Sequence, residues 1–203
     1  MAAAADRGPL EIVLTGGACG GKTTALSALA HLLRTRGVHP ITVPEAFTLI
    51  VSGGVSGVGD MVRADGSDNC RFQAELFRTI RRMRRNARTM AEQFAGQPTV
   101  ILYDRGELDA IAFHDHSCFD DAVMHLVTTA DGAEEFYSAV TNLARWETVD
   151  EARASDHRIL DAWSGHVRHL LIDNSTDFDG KIARLLDAVL ATVDDLVLVP
   201  AGA

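Results

Sequence analysis

The stretch Gly16-Gly17-Ala18-Cys19-Gly20-Gly21-Lys22-Thr23 decides the fold, because it matches the pattern G-x-x-x-x-G-K-[ST] of a phosphate-binding loop. The apolar run Leu10–Thr15 precedes it, and a leucine-rich helical pattern over Lys22–Arg36 follows it. Glycines allow the backbone N–H groups to turn toward an anion at the N-terminus of the helix. We therefore expect phosphate contacts from all eight loop residues and from Thr24, which comes next.

Lys22 and Thr23 give this loop a specific chemistry. A lysine in this place reaches the β- and γ-phosphates of a nucleoside triphosphate, and the threonine hydroxyl binds the accompanying Mg²⁺. A glycine-rich turn without a ligand would need neither side chain. A nucleophile elbow centred on Cys19 would leave the Gly-Lys-Thr run unexplained, and no motif marks a histidine or acid partner. We therefore predict a Mg²⁺–nucleotide site in which Cys19 is a small loop residue.

Apolar runs alternate with helical patterns along the chain, which favours a mostly parallel sheet with helices on both faces. We predict one three-layer α/β domain of the P-loop type over residues 10–200, preceded by a flexible N-terminus of residues 1–9. Leu196–Val199 is interpreted as a sixth strand or as a packed tail. The other predicted strands are Leu10–Thr15, His39–Val43, Thr99–Tyr103, Ala122–Val127 and Val167–Ile172.

A long helix is predicted over Asn69–Phe94. Its apolar residues recur every three or four positions and form one buried stripe of Phe72, Leu76, Ile80, Met83, Ala87, Met90 and Phe94. The same helix carries Arg71, Arg78, Arg81, Arg82, Arg84, Arg85 and Arg88. We interpret these arginines as a solvated face, or as a surface that receives an anionic substrate or a protein partner.

The segment Ser52–Asp68 contains five glycines and few large apolar residues. We predict a mobile loop, which is either functional or disordered, because a loop of this length is uncommon in a compact domain. We expect it to shape the pocket of a second substrate.

The formal net charge of −9 over 203 residues opposes binding to nucleic acid or to an anionic membrane. Cys19, Cys70 and Cys118 stand far apart, which argues against a disulfide framework and favours a reducing compartment. No run approaches the ~20 apolar residues of a membrane span, and the N-terminus lacks the apolar stretch of a signal peptide. We therefore expect a cytoplasmic protein.

Two predicted strands end in acidic residues that would face the phosphate-binding loop. Asp104 would complete the metal site, and Arg105 would stabilise charge on a transferring phosphoryl group, unless the two only pair with each other. Asp109 is interpreted as a support for them or as a helix cap. Glu45 is interpreted as the base that accepts a proton from a substrate hydroxyl, or as a residue stabilised at a helix N-terminus.

These motifs carry a resemblance to a known family. Leu14–Thr24, Val43–Ala46 and Tyr103–Ala110 together resemble the small AAA-type P-loop ATPases, which include the ribosylnicotinamide kinase domain of the bacterial NAD regulator. The layout is also similar to that of the deoxyribonucleoside kinases, from about residue 10 to 185. The resemblance implies the strand order 2-3-1-4-5, Glu45 as base, and an acid–arginine pair facing Mg²⁺ and phosphate. Gly106 departs from the nucleoside kinases, which carry another residue there.

The resemblance also implies a lid over about residues 142–158, whose arginines close over the phosphates: Arg145, Arg153 and Arg158. The alternative is a solvated helix pair with paired charges. In the related kinases the loop after the fifth strand lies against the adenine, and Asn174 is the residue assigned to it here. The guanine-specifying Asn-Lys-x-Asp pattern is absent from the sequence, which favours ATP.

A group of polar residues suggests a metal site, but we interpret it as a polar surface loop: His114, Asp115, His116, Asp120, Asp121 and His125. Histidines two positions apart near a helix end point in different directions. Trp146 and Trp163 are interpreted as packing residues rather than as platforms for a base.

Together these features predict a phosphotransferase, a kinase that transfers the γ-phosphoryl group of MgATP to a hydroxyl of a nucleoside-like acceptor. Lys22, Arg105 and Arg145 would stabilise the transferred charge. The alternative is a P-loop ATPase or nucleotide-dependent switch that acts on a protein partner. A nucleoside-monophosphate kinase and an antibiotic phosphotransferase are further interpretations. A homodimer or a complex with a protein partner is compatible with the sequence.

Overall fold

Five parallel strands form the centre of the molecule. The computed structural model describes residues 8–53, 67–94, 96–110, 122–138 and 147–194. The strands in these ranges are β1 (Leu10–Thr15), β2 (His39–Val43), β3 (Thr99–Asp104), β4 (Ala122–Leu126) and β5 (His169–Ile172). They form one sheet of order β2-β3-β1-β4-β5 in which each neighbouring pair runs parallel. The predicted sheet and the order implied by the resemblance are both confirmed.

Helices cover both faces of the sheet, which confirms the three-layer α/β fold. They are α1 (Lys22–Thr35), α2 (Ala46–Ser52), α3 (Ser67–Ala91), α4 (Val149–Trp163) and α5 (Phe178–Val193), with 3₁₀ turns at Glu92–Phe94, Glu107–Ala110 and Glu134–Phe136. α1 and α5 pack on one face, and α3 and α4 pack on the other. None of the described helices is long and apolar enough to cross a membrane.

The central strand β1 is buried along its whole length. Its alternate residues point to opposite layers, so Ile12 and Leu14 pack with α1 and α5, whereas Val13 packs with α3 and α4. Burial on both faces explains why the inner strands read as continuous apolar runs rather than as alternating ones. The loop that leaves β1 therefore starts from a fully buried strand at the centre of the sheet.

Two details of the predicted elements are wrong. β5 begins at His169 rather than at Val167, which is 95% exposed. Met90 is 58% exposed, and Ala91 takes the buried position one turn after Ala87. Near the end of α3 the buried stripe therefore includes Ala91 instead of Met90.

The predicted loop Ser52–Asp68 is helical at both ends. Ser52 is the last residue of α2, and α3 already includes Ser67 and Asp68. Residues 54–66 lie outside the described part of the chain, as do residues 1–7 of the predicted N-terminal segment 1–9 and the run Leu196–Val199.

The arginines of α3 do not form one solvated face. Arg84 is 5% exposed and forms an ion pair with Glu11 of β1, with 3.0 Å between Nε and Oε2. Arg88 donates a hydrogen bond of 2.7 Å to the same carboxylate, and so does the Tyr103 hydroxyl. A buried carboxylate is tolerated only when charges and donors compensate it, so Glu11 turns two arginines inward. Arg78, Arg81, Arg82 and Arg85 remain exposed.

Replacing Glu11 with Gln should destabilise the fold, because it removes the carboxylate that lies 3.0 Å from the buried Arg84 and leaves Glu107, at 3.9 Å, as a more distant counter-charge. We expect the free energy of unfolding to fall by about 3–5 kcal/mol, measured by urea denaturation. Glu75→Gln is the matched control, since it removes an exposed ion pair between Glu75 and Arg78 of α3. This variant should lower the free energy of unfolding by less than about 1 kcal/mol. Equal losses in the two variants would contradict a structural role for the Glu11 cluster.

Candidate active site

The phosphate-binding loop joins β1 to α1 through backbone conformations that favour glycine. The φ angles of Gly16 and Gly21 are 116° and 87°, in the left-handed region. A Cβ on Gly16 would collide with the carbonyl of Leu126, where β4 ends. Cys19 has a φ of 60°, and its thiol lies 3.3 Å from the carbonyl oxygen of Ser138. The loop is therefore held against β4, and it ends at the N-terminus of α1, which favours anions.

The remaining predicted loop residues occupy the same turn. Ala18 accepts a hydrogen bond from the Thr128 hydroxyl through its carbonyl oxygen, and a Cβ on Gly20 would lie 2.7 Å from the carbonyl of Leu126. Thr23 and Thr24 open α1 and are exposed. The residues predicted to contact phosphate thus lie together on the loop and the first turn of α1, which form the surface expected to face a ligand.

Lys22 is buried beneath this surface. Its ammonium group donates hydrogen bonds of 2.8 and 2.7 Å to the carbonyl oxygens of Gly16 and Gly17. Burial, and then the nearby Arg105, lower its pKa to about 8, although Asp104 and Glu45 act in the opposite direction. The lysine is therefore already inside the cradle and can exchange two carbonyl partners for phosphate oxygens.

Thr23 and Asp104 meet across the loop as predicted for a metal site. The Thr23 hydroxyl donates a hydrogen bond of 3.2 Å to Oδ2 of Asp104. The other carboxylate oxygen, Oδ1, is buried and has no hydrogen-bond partner among the described residues. Burial raises the pKa of Asp104, because nearby charges only partly offset the lost hydration. A hydroxyl and an uncompensated carboxylate oxygen are ligands that Mg²⁺ prefers, so these residues fit the ion.

Arg105 and Glu45 form the opposite wall of the cleft. The Arg105 guanidinium donates a hydrogen bond of 2.5 Å to Oε1 of Glu45, and its Nη1 lies 3.8 Å from Asp109. Glu45 is the N-cap residue of α2 and accepts a further bond of 2.6 Å from the Thr48 hydroxyl. Burial would raise the pKa of Glu45, but Arg105 and Lys22 outweigh it and hold the pKa below its usual value. Glu45 is therefore ionised near neutral pH.

Asp109 supports the Arg105 side of the cleft rather than lying in it. It accepts hydrogen bonds of 2.5 Å from the Thr15 hydroxyl and 2.6 Å from the Trp163 indole. Trp163 is fully buried, as predicted for a packing residue. A Cβ on Gly106 would collide with the Trp163 ring. This close contact is the physical reason for the glycine that departs from the nucleoside-kinase pattern.

Asp156 and His125 are site residues that the sequence did not indicate. The Gly17 N–H donates a hydrogen bond to Oδ1 of Asp156, and the His125 Nε2 lies 3.2 Å from the same oxygen. Both side chains are buried, and His125 lies in β4, within the predicted strand Ala122–Val127, so its interpretation as part of a polar surface loop is wrong. Burial would raise the pKa of Asp156, but its bond with His125 and the backbone donors lower it. The sequence feature that could have indicated this pair is the histidine within the otherwise apolar strand β4.

The predicted lid over about residues 142–158 is described only from residue 147 onward, so Arg145 and Trp146 lie outside the described residues. Arg153 donates a hydrogen bond of 2.7 Å to the carbonyl of Ala130 and pairs with Glu134 at 3.0 Å. Arg158 is exposed. α4 is fastened to the phosphate-binding loop through Asp156 and to the Asp109 turn through Trp163.

Asn174 follows β5 and connects two loops. Its amide nitrogen donates hydrogen bonds of 2.7 Å to the carbonyls of Thr128 and Asp131. Its amide oxygen accepts a bond of 2.7 Å from the Lys181 ammonium group. Asn174 thus lies on the β5 side of the phosphate-binding loop, and both ends of its amide are engaged.

The predicted polar loop before β4 is not covered by the structure. His114, His116, Asp115, Asp120 and Asp121 lie outside the described residues. Among the residues that the structure describes, no group of three or more histidine, cysteine or acidic side chains is placed to hold a metal ion.

Comparison with known proteins agrees with this geometry. A family model described as an AAA domain matches residues 11–181, which run from β1 through the phosphate-binding loop and Asp104 to the start of α5. None of the curated proteins matches the chain.

Raising the pH should weaken nucleotide binding, because a lysine with a pKa of about 8 loses its charge as the pH passes that value. A bound phosphate favours the charged form, so we expect the affinity for ATP to fall about tenfold between about pH 7 and about pH 9. Calorimetric titrations with ATP at several pH values measure this slope.

Lys22→Arg is the matched control, because an arginine stays charged throughout this range. The variant also keeps Lys181, whose pKa burial lowers to about 8, so any contribution of Lys181 is common to both proteins. A slope as steep in Lys22→Arg as in the natural protein would contradict the assignment to Lys22.

Proposed function

The chain belongs to the AAA-domain family of P-loop nucleotide-binding proteins, and from this premise we propose that it is a kinase for a small, nucleoside-like alcohol. It transfers the γ-phosphoryl group of MgATP to a hydroxyl of that acceptor. The ribosylnicotinamide kinases that the sequence motifs resemble are one model for the acceptor class.

The observation that carries this proposal is the Glu45 carboxylate beside Arg105. Both side chains are 21% exposed, so they remain accessible from the cleft. Glu45 follows β2 and Asp104 is the last residue of β3, so an acceptor bound near Glu45 lies on the metal side of the phosphate-binding loop. A hydroxyl placed there can donate to the carboxylate while its oxygen faces the γ-phosphorus.

Each residue then has one role in the transfer. Lys22 leaves its loop carbonyls for the β- and γ-phosphate oxygens, and Arg105 contacts the charge that develops on the transferred group. Thr23 and Asp104 would hold Mg²⁺, which would neutralise part of the phosphate charge. The acceptor oxygen forms a bond to the γ-phosphorus as the β,γ-bridging P–O bond breaks, and ADP leaves.

The lowered pKa of Glu45 defines how it acts. A weakly basic carboxylate does not remove the hydroxyl proton before the reaction begins. Phosphoryl transfer through a loose transition state requires little nucleophile activation, so orienting the hydroxyl and taking its proton late is sufficient. Glu45 and Arg105 also hold each other in place before the acceptor arrives.

A second candidate is an ATPase or nucleotide-dependent switch that acts on a protein partner. The observation that favours it is the exposed arginine surface of α3, formed by Arg78, Arg81, Arg82 and Arg85. Inward-turned Arg84 and Arg88 make this surface smaller than the sequence predicted, and it lies on a helix apart from the phosphate-binding loop. The kinase is therefore the function that the site supports better.

The test is ATP consumption across a panel of nucleosides, nucleotides and other alcohols. Glu45→Gln should lower acceptor-dependent turnover by about 10²–10⁴-fold, because the amide cannot accept the proton. ATP affinity should stay within about threefold of the natural value, because Glu45 does not contact the donor. Lys22→Ala, the control, should lose both turnover and ATP affinity.

Two results would contradict the proposal. If no acceptor raises turnover above the Lys22→Ala background, the protein is not a kinase for these substrates. If Glu45→Gln leaves acceptor-dependent turnover intact, the kinase assignment stands but Glu45 does not orient the hydroxyl. Slow hydrolysis without an acceptor, together with nucleotide-dependent capture of a protein, would favour the switch.

A further inference from the structure

The order of the strands fixes the direction in which a bound nucleoside triphosphate extends. The phosphate-binding loop follows the central β1, and the acids and Arg105 follow β3 and β2 on one side of it. The γ-phosphate must face that side, because the reacting groups are there. The nucleoside therefore leaves toward the other side, where the loops after β4 and β5 lie.

Phe178, the first residue of α5, stands on this second side. Its ring touches the last glycine of the phosphate-binding loop, since a Cβ on Gly21 would lie 2.8 Å from the ring atom Cε2. The side chain is nevertheless 48% exposed. A large aromatic ring that is anchored at the loop and open to solvent offers a flat apolar surface for a base to stack on.

The polar side chains beside Phe178 are already committed to protein partners. Asn174, the residue predicted to lie against adenine, uses its amide to join the turn at Thr128–Asp131 to Lys181. Lys181 is 3% exposed and also donates to the carbonyl of Val127. Asp173 binds Arg184 and Ser175, and Asp177 caps the Gly180 N–H. These side chains could form hydrogen bonds to the edge of a base only if their existing hydrogen bonds were broken.

We propose that Phe178 is the stacking platform for the base of the donor nucleotide, and that Asn174 positions the surrounding loops instead of reading the base. This inference rests on the proposed use of a nucleoside triphosphate. It goes beyond that function, because recognition by stacking is tolerant of base identity. GTP should therefore bind within about fivefold of ATP.

The experiment compares ATP, GTP and inorganic tripolyphosphate as ligands, each with Mg²⁺, by calorimetry. Tripolyphosphate reports the phosphate cradle alone, because it has no base. Phe178→Ala should weaken ATP and GTP by about tenfold and leave tripolyphosphate within about twofold. Phe178→Trp should restore the affinity for ATP, because it keeps a stacking surface. Met90→Ala is the control, since Met90 is also an exposed apolar side chain, at 58%, but lies near the end of α3.

Each remaining outcome would overturn the inference. Unchanged ATP affinity in Phe178→Ala would show that the ring does not stack on the base. Equal weakening of ATP and tripolyphosphate would mean that Phe178 only shapes the loop at Gly21. A changed sedimentation coefficient with unchanged ATP affinity would assign the ring to a contact between copies of the chain. A preference for ATP over GTP of about a hundredfold or more would overturn the tolerance of base identity.

These outcomes are distinguishable from failure of the proposed kinase function. If the natural protein binds ATP more tightly than tripolyphosphate but phosphorylates no acceptor, the platform stands and the kinase proposal fails. If the natural protein binds neither ligand, the nucleotide site itself is wrong, and the platform is wrong with it.

Discussion

The structure depends on one constraint, the lack of room for side chains where the phosphate-binding loop passes β4. A Cβ on Gly16 or Gly20 would run into the Leu126 carbonyl, and one on Gly17 would run into Asp156. This proximity binds the loop to the sheet and to α4 before any ligand arrives. Because parallel strands end at one edge, the same edge also receives Glu45 and Asp104. The geometry of the cleft thus follows from close backbone packing.

The charged groups of the cleft are likewise in place before a ligand binds. Lys22 and Arg105 lie among Glu45, Asp104 and Asp109, and neighbouring charges contribute to the pKa shifts of Lys22, Arg105, Glu45 and Asp104. Cations and carboxylates held in a water-poor cleft stabilise transferred charge without reorganising at the moment of reaction. Lys22 donates its hydrogen bonds to loop carbonyl oxygens, which phosphate oxygens can replace. One carboxylate oxygen of Asp104 has no hydrogen-bond partner among the described residues. Both features suit phosphates that bring a divalent cation.

Local patterns in the sequence predicted the parts of this structure that depend on local chemistry. The strand–loop–helix unit around Lys22 needs glycines and an apolar strand, so its residues identify it directly. The contacts that brace the site join distant segments, and no local pattern records them. Gly106 is explained by the Trp163 ring, and Arg84 turns inward toward Glu11 of β1, far from it in the sequence. Asp156 could not be found for the same reason, since its partners lie in β4 and the loop.

The central claim is that Asp104 and Thr23 hold Mg²⁺ on a nucleoside triphosphate in this loop. The most direct measurement is the affinity for ATP with Mg²⁺ and with EDTA, in the natural protein and in Asp104→Asn. We predict that Mg²⁺ strengthens binding by about tenfold or more in the natural protein, and that Asp104→Asn removes most of this gain without changing the affinity in EDTA. A gain from Mg²⁺ that is as large in Asp104→Asn as in the natural protein would contradict the account.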